Sequence, residues 1–196
     1  MGNILNKAFP ISLKQEVKYI QKKLPLKLFS QNFSHPFQIF LKQENLFIPE
    51  RIYFNEISKD VYESLSITQK TIADCIYTRH CDGFVREKYL TNLLERGHYD
   101  YWVTPFIIKL TGEYVIEILS RIQKQVDQLN DAFIKDFLLE NPSFHYLITQ
   151  RIISYWNYYY RWDYSKEIYV GFDLIKYYTD CIESLRAKSN WIIRFL

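Results

Sequence analysis

The chain has 196 residues, of which 48% are hydrophobic and 24% charged, enough apolar material for a full core and too much for a disordered tail. Its net charge of +3 comes from positive and negative residues interspersed along the sequence, which argues against the clustered basic stripe of a nucleic-acid reader. The 17 Tyr, 14 Phe and 4 Trp stand against only 5 Gly, a balance that favours helices joined by short loops over a many-turned β-sandwich.

The N-terminus, MGNILNKAFPISL, carries neither the long apolar stretch nor the small-residue cleavage site of a secretory signal. It also misses the myristoylation pattern, because Asn6 stands where Ser or Thr is required. A first helix is expected from a Ser12-x-x-Gln15 capping box, with Leu13, Val17, Ile20 and Leu24 on one face and a stop before Pro25. Lys14 to Lys23 of this helix form the one basic run, read as a solvated face because Glu16 lies inside it.

Positions 26–56 are the least helical part. The run LFIPERIYF at 46–54 is interrupted by Pro49, which cannot donate to a central ladder, so it reads as an irregular segment or short β edge laid on a helical body. Ser66 to Arg79 reads as helical, with Ile72, Cys75, Ile76 and Arg79 along one side. Asp82 then caps a helix with Phe84, Val85, Tyr89, Leu90, Leu93 and Leu94 as its stripe and Gly97 as its C-terminal stop.

Thr104 and Pro105 open the most periodic segment, whose Ile107, Leu110, Tyr114, Ile118, Leu119, Ile122 and Val126 predict one helix of about six turns. Further helices are expected over 131–140, from Asn141-Pro142 through Tyr159, and along Phe172, Ile175, Tyr178, Ile182 and Leu185. No repeat, low-complexity tract or linker divides the chain. The expectation is all-α: a single helical domain over 1–196, of about seven helices, with 26–56 packed on it.

The pattern Asp82-Gly83-x-Val85-Arg86-Glu87-x-x-Leu90-x-x-Leu93-Leu94, followed by a helix opening at Pro105, resembles one helix pair of HEAT-type repeats. HEAT-type units imply stacked helix pairs that present a protein-binding surface; no second copy is found, so only the local hairpin carries over. Together RHCDGFVREKYL, WVTPFIIKLTGEYVIEIL and RIISYWNYYYR are similar to segments of small helical bacterial proteins with no assigned activity. That resemblance implies a single helical domain and supplies no catalytic residue.

Three places invite a functional reading. Arg79, His80, Cys81 and Arg86 crowd a nucleophile, a base and two cations into one corner, and with Arg151 they form a candidate pocket for an enzyme or small-ligand binder. The alternative is an interhelical corner in which Asp82 caps and Gly83 starts the helix. Glu113 and Glu117 lie four apart, with Glu140 a third carboxylate; no Glu has His three residues later, so no metal is expected, and the alternative pairs Glu117 with Arg121 while Gly112 marks a close helix crossing.

His35, His80, His98 and His145 are scattered, and Cys75, Cys81 and Cys181 lack zinc spacing. Three cysteines without framework spacing suit free thiols in a reducing compartment, hence a cytoplasmic protein, and no apolar run reaches the ~20 residues of a membrane span.

The third place is SYWNYYYRWDY at 154–164. Continuing the stripe of Ile148 and Ile152 puts Tyr155, Trp156 and Tyr159 in the core and leaves Tyr158, Tyr160, Arg161, Trp162 and Tyr164 as partner-binding candidates. With no Walker loop, dinucleotide fingerprint, nucleophile elbow or kinase set present, no cofactor is expected. The sequence reading is a non-enzymatic module that binds another protein, such as an immunity protein neutralising a cognate bacterial toxin. The alternatives are the enzyme or ligand binder at 79–86 and a single-stranded nucleic-acid binder that stacks bases on the aromatic helix.

Overall fold

The computed structural model describes residues 4–26, 31–97 and 99–193, with side chains described to Glu183. Met1 to Asn3, residues 27–30, His98 and the side chain of Leu185, all used in the sequence reading, lie outside the described residues. The chain is mainly helical and forms two compact units, Met1–Ile107 and Ile108–Leu196.

The first unit begins with 3₁₀ turns at Leu5–Lys7 and Ile11–Leu13, then α1 (Lys14–Lys23). The Ser12-x-x-Gln15 box does not form: the N-cap of α1 is Leu13 with no side-chain cap. The preceding 3₁₀ turn already occupies Ser12. A capping box does form two helices later, where Ser66 and Gln69 exchange hydrogen bonds at the start of α3 (Ile67–Tyr77), satisfying two amides that the first turn leaves open.

Between them stands a β-hairpin rather than a lone edge segment. β1 (Pro36–Leu41) pairs antiparallel with β2 (Glu44–Pro49), with Phe37 opposite Ile48 and Ile39 opposite Leu46. Pro36 and Pro49 face each other at the end of the two strands, and backbone pairing resumes beyond them, with the Ser34 amide donating to the Arg51 carbonyl and Phe33 opposite Ile52. Ile39, Leu41, Leu46 and Ile48 are buried, and at about 2 kcal/mol each they anchor a two-stranded sheet that would be marginal alone.

A short α2 (Lys59–Glu63) precedes α3, which is buried continuously from Thr71 to Tyr77 and is packed by both α1 and α4 (Gly83–Arg96). At α4 the expected ends are both present: the Asp82 carboxylate accepts from the Phe84 amide at 2.8 Å, and Gly97 closes the helix with φ of +64°. The expected stripe is wrong at its start. Phe84 is 84% exposed, while Arg86 is buried in its stead.

The helix expected from Thr104 to Val126 is two helices, α5 (Thr104–Thr111) and α6 (Ile116–Lys124). The break falls at Gly112, the costliest non-proline residue in a helix interior, where the chain passes close to α8 (Pro142–Tyr155): a Cβ at Gly112 would lie 2.7 Å from Ile148 Cδ1. The expected close crossing at Gly112 is therefore real. Because the break separates them, Glu113 and Glu117 do not share a helical face; Glu113 is buried and Glu117 exposed.

In the second unit α7 (Asp131–Glu140) and α8 follow α6, and α9 (Val170–Ile193) packs against all three. Pro142 holds the first position of α8 as expected, but the Asn141 side chain turns back and donates to the Phe137 carbonyl of α7 at 2.9 Å. The core face of α9 is Leu174, Tyr178 and Cys181, whereas Phe172, Ile175 and Ile182 are only half-buried. Among the described residues there are nine α-helices and one hairpin, so the all-α expectation holds only in its coarser form. No helix of the described residues is long and apolar enough to cross a membrane.

Candidate functional site

The aromatic stretch owes its geometry to one irregularity. After Tyr155 the α-helix gives way to a π-helical turn, Trp156–Tyr160, closed by the Arg161 amide donating to the Trp156 carbonyl at 2.8 Å. A π turn inserts one residue into the helical period, so the phase of every later side chain slips by one position. Tyr159, expected inside, is half-exposed. Tyr160, expected outside, turns inward: its ring stacks on the buried Tyr169 at 5.5 Å and its hydroxyl donates to the Tyr114 carbonyl.

Tyr114 lies in the break between α5 and α6, so Tyr160 supplies a donor to a carbonyl in an interrupted helix. Burial pushes the Tyr160 phenol above its ordinary range, which keeps the hydroxyl a donor. Tyr164 is likewise held within the fold, half-buried against Tyr160 and Tyr169. Its carbonyl accepts from Trp156 Nε1 at 2.9 Å, and Trp156 packs edge-on against Phe172.

Three of the five partner candidates remain at the surface. Tyr158 is 78% and Trp162 83% exposed, and the Arg161 guanidinium lies 4.7 Å over the Trp162 ring while donating to Asn157 Oδ1 at 3.1 Å. The sequence reading missed two members of this surface. Tyr159 meets Tyr158 edge-on at 4.7 Å and Tyr114 at 5.8 Å, and Tyr114 meets Tyr155 at 6.0 Å. The row Tyr155, Tyr114, Tyr159, Tyr158 rests on a fixed backbone.

The corner at 79–86 is built differently. Arg79 is buried and donates to the Thr78 and Glu50 carbonyls at 3.2 and 3.0 Å. Its own carbonyl accepts from the Ile52 amide, and the Ile52 carbonyl accepts from the Cys81 amide, so 50–52 is tied to the end of α3. Arg86 Nη1 donates to the His80 and Cys81 carbonyls, both at 2.9 Å.

His80 uses both ring nitrogens on the backbone. Nδ1 accepts from the Asp82 amide at 3.0 Å, which places the ring proton on Nε2, 3.0 Å from the Phe54 carbonyl it donates to. A base needs a free lone pair, and this one is engaged. The Cys81 thiol is free and exposed. Arg151 lies on α8, in the second unit.

A cluster that the sequence reading passed over sits in the first unit. Asp74, fully buried on α3, accepts from the Tyr62 hydroxyl at 2.8 Å and pairs with Arg96 at 2.7 Å. Arg96 and Asn92 both donate to the Tyr62 oxygen. Burial pushes Asp74 up to about 6, against the pull of Arg96 and the Tyr62 hydrogen bond. Its signal in the sequence was an acid inside the apolar run IADCIY.

Comparison with known protein families, curated proteins and solved structures finds no match.

Proposed function

We propose that this protein is a non-enzymatic binding module whose second unit docks another protein through Tyr158, Tyr159, Arg161 and Trp162, with Tyr114 beside them. The observation that carries the reading is Trp162: a large aromatic ring, 83% exposed, with a guanidinium over it. Tyr, Trp and Arg are the residue types that dominate interface hot spots, and a large apolar ring left in water is a cost that a partner removes.

The support beneath the ring adds to this. The π turn, the Tyr160 hydrogen bond to Tyr114 and the Trp156 hydrogen bond to Tyr164 fix the backbone from which these side chains project. A surface ordered in advance loses less entropy on binding. The corner at 79–86 supports the enzyme reading less, because the imidazole there is engaged with backbone on both sides.

A narrower form of the proposal is an immunity protein that neutralises a cognate toxin. Affinity capture from native cells, run in parallel with wild type and a Tyr158→Ala/Trp162→Ala variant of equal thermal stability, tests the docking claim. One protein retained at stoichiometric yield by wild type and lost by the variant supports it. Equal capture by both, or binding to a single-stranded oligonucleotide that falls steeply with salt, overturns it.

A further inference from the structure

The basic run at 14–23 acquires a different meaning once its carboxylate is placed. Glu16 is half-buried and accepts from Gln69 Nε2 at 2.8 Å, so it is turned toward α3. Glu44, the acid beside the start of the helix, is engaged by the Ile11 amide at 2.8 Å. The outward face of α1 is left with Lys14, Lys18, Lys22 and Lys23, all exposed. Among the described residues none of the four makes an ion pair.

Lys14, Lys18 and Lys22 succeed one another at steps of four residues, a row rising about 6 Å per step. Two apolar side chains stand among them: Ile11 is 65% exposed, and Tyr19 is 42% exposed with the Lys23 ammonium 5.5 Å over its ring. Buried Val17 and Ile20 hold the opposite side of the helix, so the face is presented rigidly.

We infer that this face of α1 binds the surface of an anionic phospholipid bilayer as a reversible peripheral contact. Lysine ammoniums are drawn to an anionic headgroup layer while their hydrocarbon stems lie along the interface. Ile and Tyr are side chains that enter the headgroup boundary, whereas a nucleic-acid backbone offers an exposed Ile nothing to bury against. Four lysines raise partitioning onto an anionic over a neutral surface about a thousandfold at low salt, and screening removes most of that gain at high salt.

The inference is independent of the docking surface around Trp162, and its test keeps the two apart. The full chain is sedimented with phosphatidylcholine vesicles with and without phosphatidylserine, at low and at high salt. Binding to the anionic vesicles alone, released by salt, is expected. Lys18→Gln/Lys22→Gln should weaken it about thirtyfold, Ile11→Ser should weaken it further, and Tyr158→Ala/Trp162→Ala should leave it intact.

The three substituted positions, Ile11, Lys18 and Lys22, all carry exposed side chains, so the variants fold, and an unchanged melting temperature confirms it. No sedimentation with phosphatidylserine vesicles at low salt, or equal binding by the lysine variant, overturns the inference. So does tighter binding of a DNA or RNA oligonucleotide through the same lysines, which would make the ligand a nucleic-acid phosphate.

Discussion

The Tyr160 hydroxyl donates to the carbonyl of Tyr114, 46 positions earlier in the chain, and thereby ties the π turn to the break between α5 and α6. Each irregularity leaves backbone groups that a regular helix would have satisfied, and this bond answers one of them. Tyr160→Phe keeps the ring stacked on Tyr169 and removes only the donor. It should cost about 1 kcal/mol of stability by denaturant unfolding, with the far-ultraviolet circular dichroism unchanged.

Asp74 gives the first unit a pH dependence of definite sign. Its folded pKa of about 6 lies above the ordinary value of 3.8 because burial outweighs the Arg96 attraction. The folded state therefore holds the proton to higher pH than the unfolded state. The contribution is fully present below about pH 4 and is lost as pH rises through 6, with a slope of up to roughly 1.4 kcal/mol per pH unit. Unfolding free energies of wild type and Asp74→Asn between pH 4 and 7 should show that slope in the first and its loss in the second. Parallel curves would mean that Asp74 stays ionised throughout.

Removing the partner is a different experiment. Arg96→Met leaves a carboxylate in the interior with its counterion gone, and should cost about 3 kcal/mol at pH 7, less at pH 4 where Asp74 is protonated.

The hairpin turn is improvable. Lys42 and Gln43 both adopt positive φ, at 44° and 71°, as a two-residue hairpin turn of this kind demands. Gln43→Gly should raise stability by about 0.5–1 kcal/mol, measured as a shift in the denaturation midpoint. Lys42 is the poorer target, since its ammonium lies 3.9 Å over the Tyr101 ring.

Gly171 marks a close approach in the second unit. A Cβ there would fall 2.6 Å from Ile152 Cγ2 and 2.4 Å from the Tyr169 ring. Gly171→Ala should destabilise by about 1–3 kcal/mol, and its cost should be smaller in an Ile152→Ala background than in wild type.

The sequence carried much of the helical plan because capping chemistry is local. Asp82, Gly97, Pro142 and the apolar spacing of 131–140 each state a helix boundary within a few residues, and the structure follows them. Non-local causes were hidden. The pattern from Ile107 to Val126 keeps its 3.6-residue period, but Gly112 meets Ile148 and Tyr160 reaches Tyr114, so the helix divides. Ser12-x-x-Gln15 and Ser66-x-x-Gln69 are alike as strings, and only the second is free of a preceding 3₁₀ turn that takes the serine.

For the aromatic segment, reading its period placed Tyr158, Arg161 and Trp162 at the surface, where they are, and misplaced Tyr159, Tyr160 and Tyr164. A π turn has no simple residue signature, and its one-residue slip exchanged Tyr159 with Tyr160. Phe84 and Arg86 were misplaced for another reason: the carbonyls of His80 and Cys81 need donors, and hydrophobicity alone does not register that need.

The docking claim is tested most directly by placing a photo-crosslinking phenylalanine derivative at position 158 in native cells. The account predicts one discrete protein adduct, suppressed by excess wild-type chain and not by a chain carrying Trp162→Ala. An absence of any adduct at 158, or competition by the Trp162→Ala chain equal to that of wild type, would contradict it.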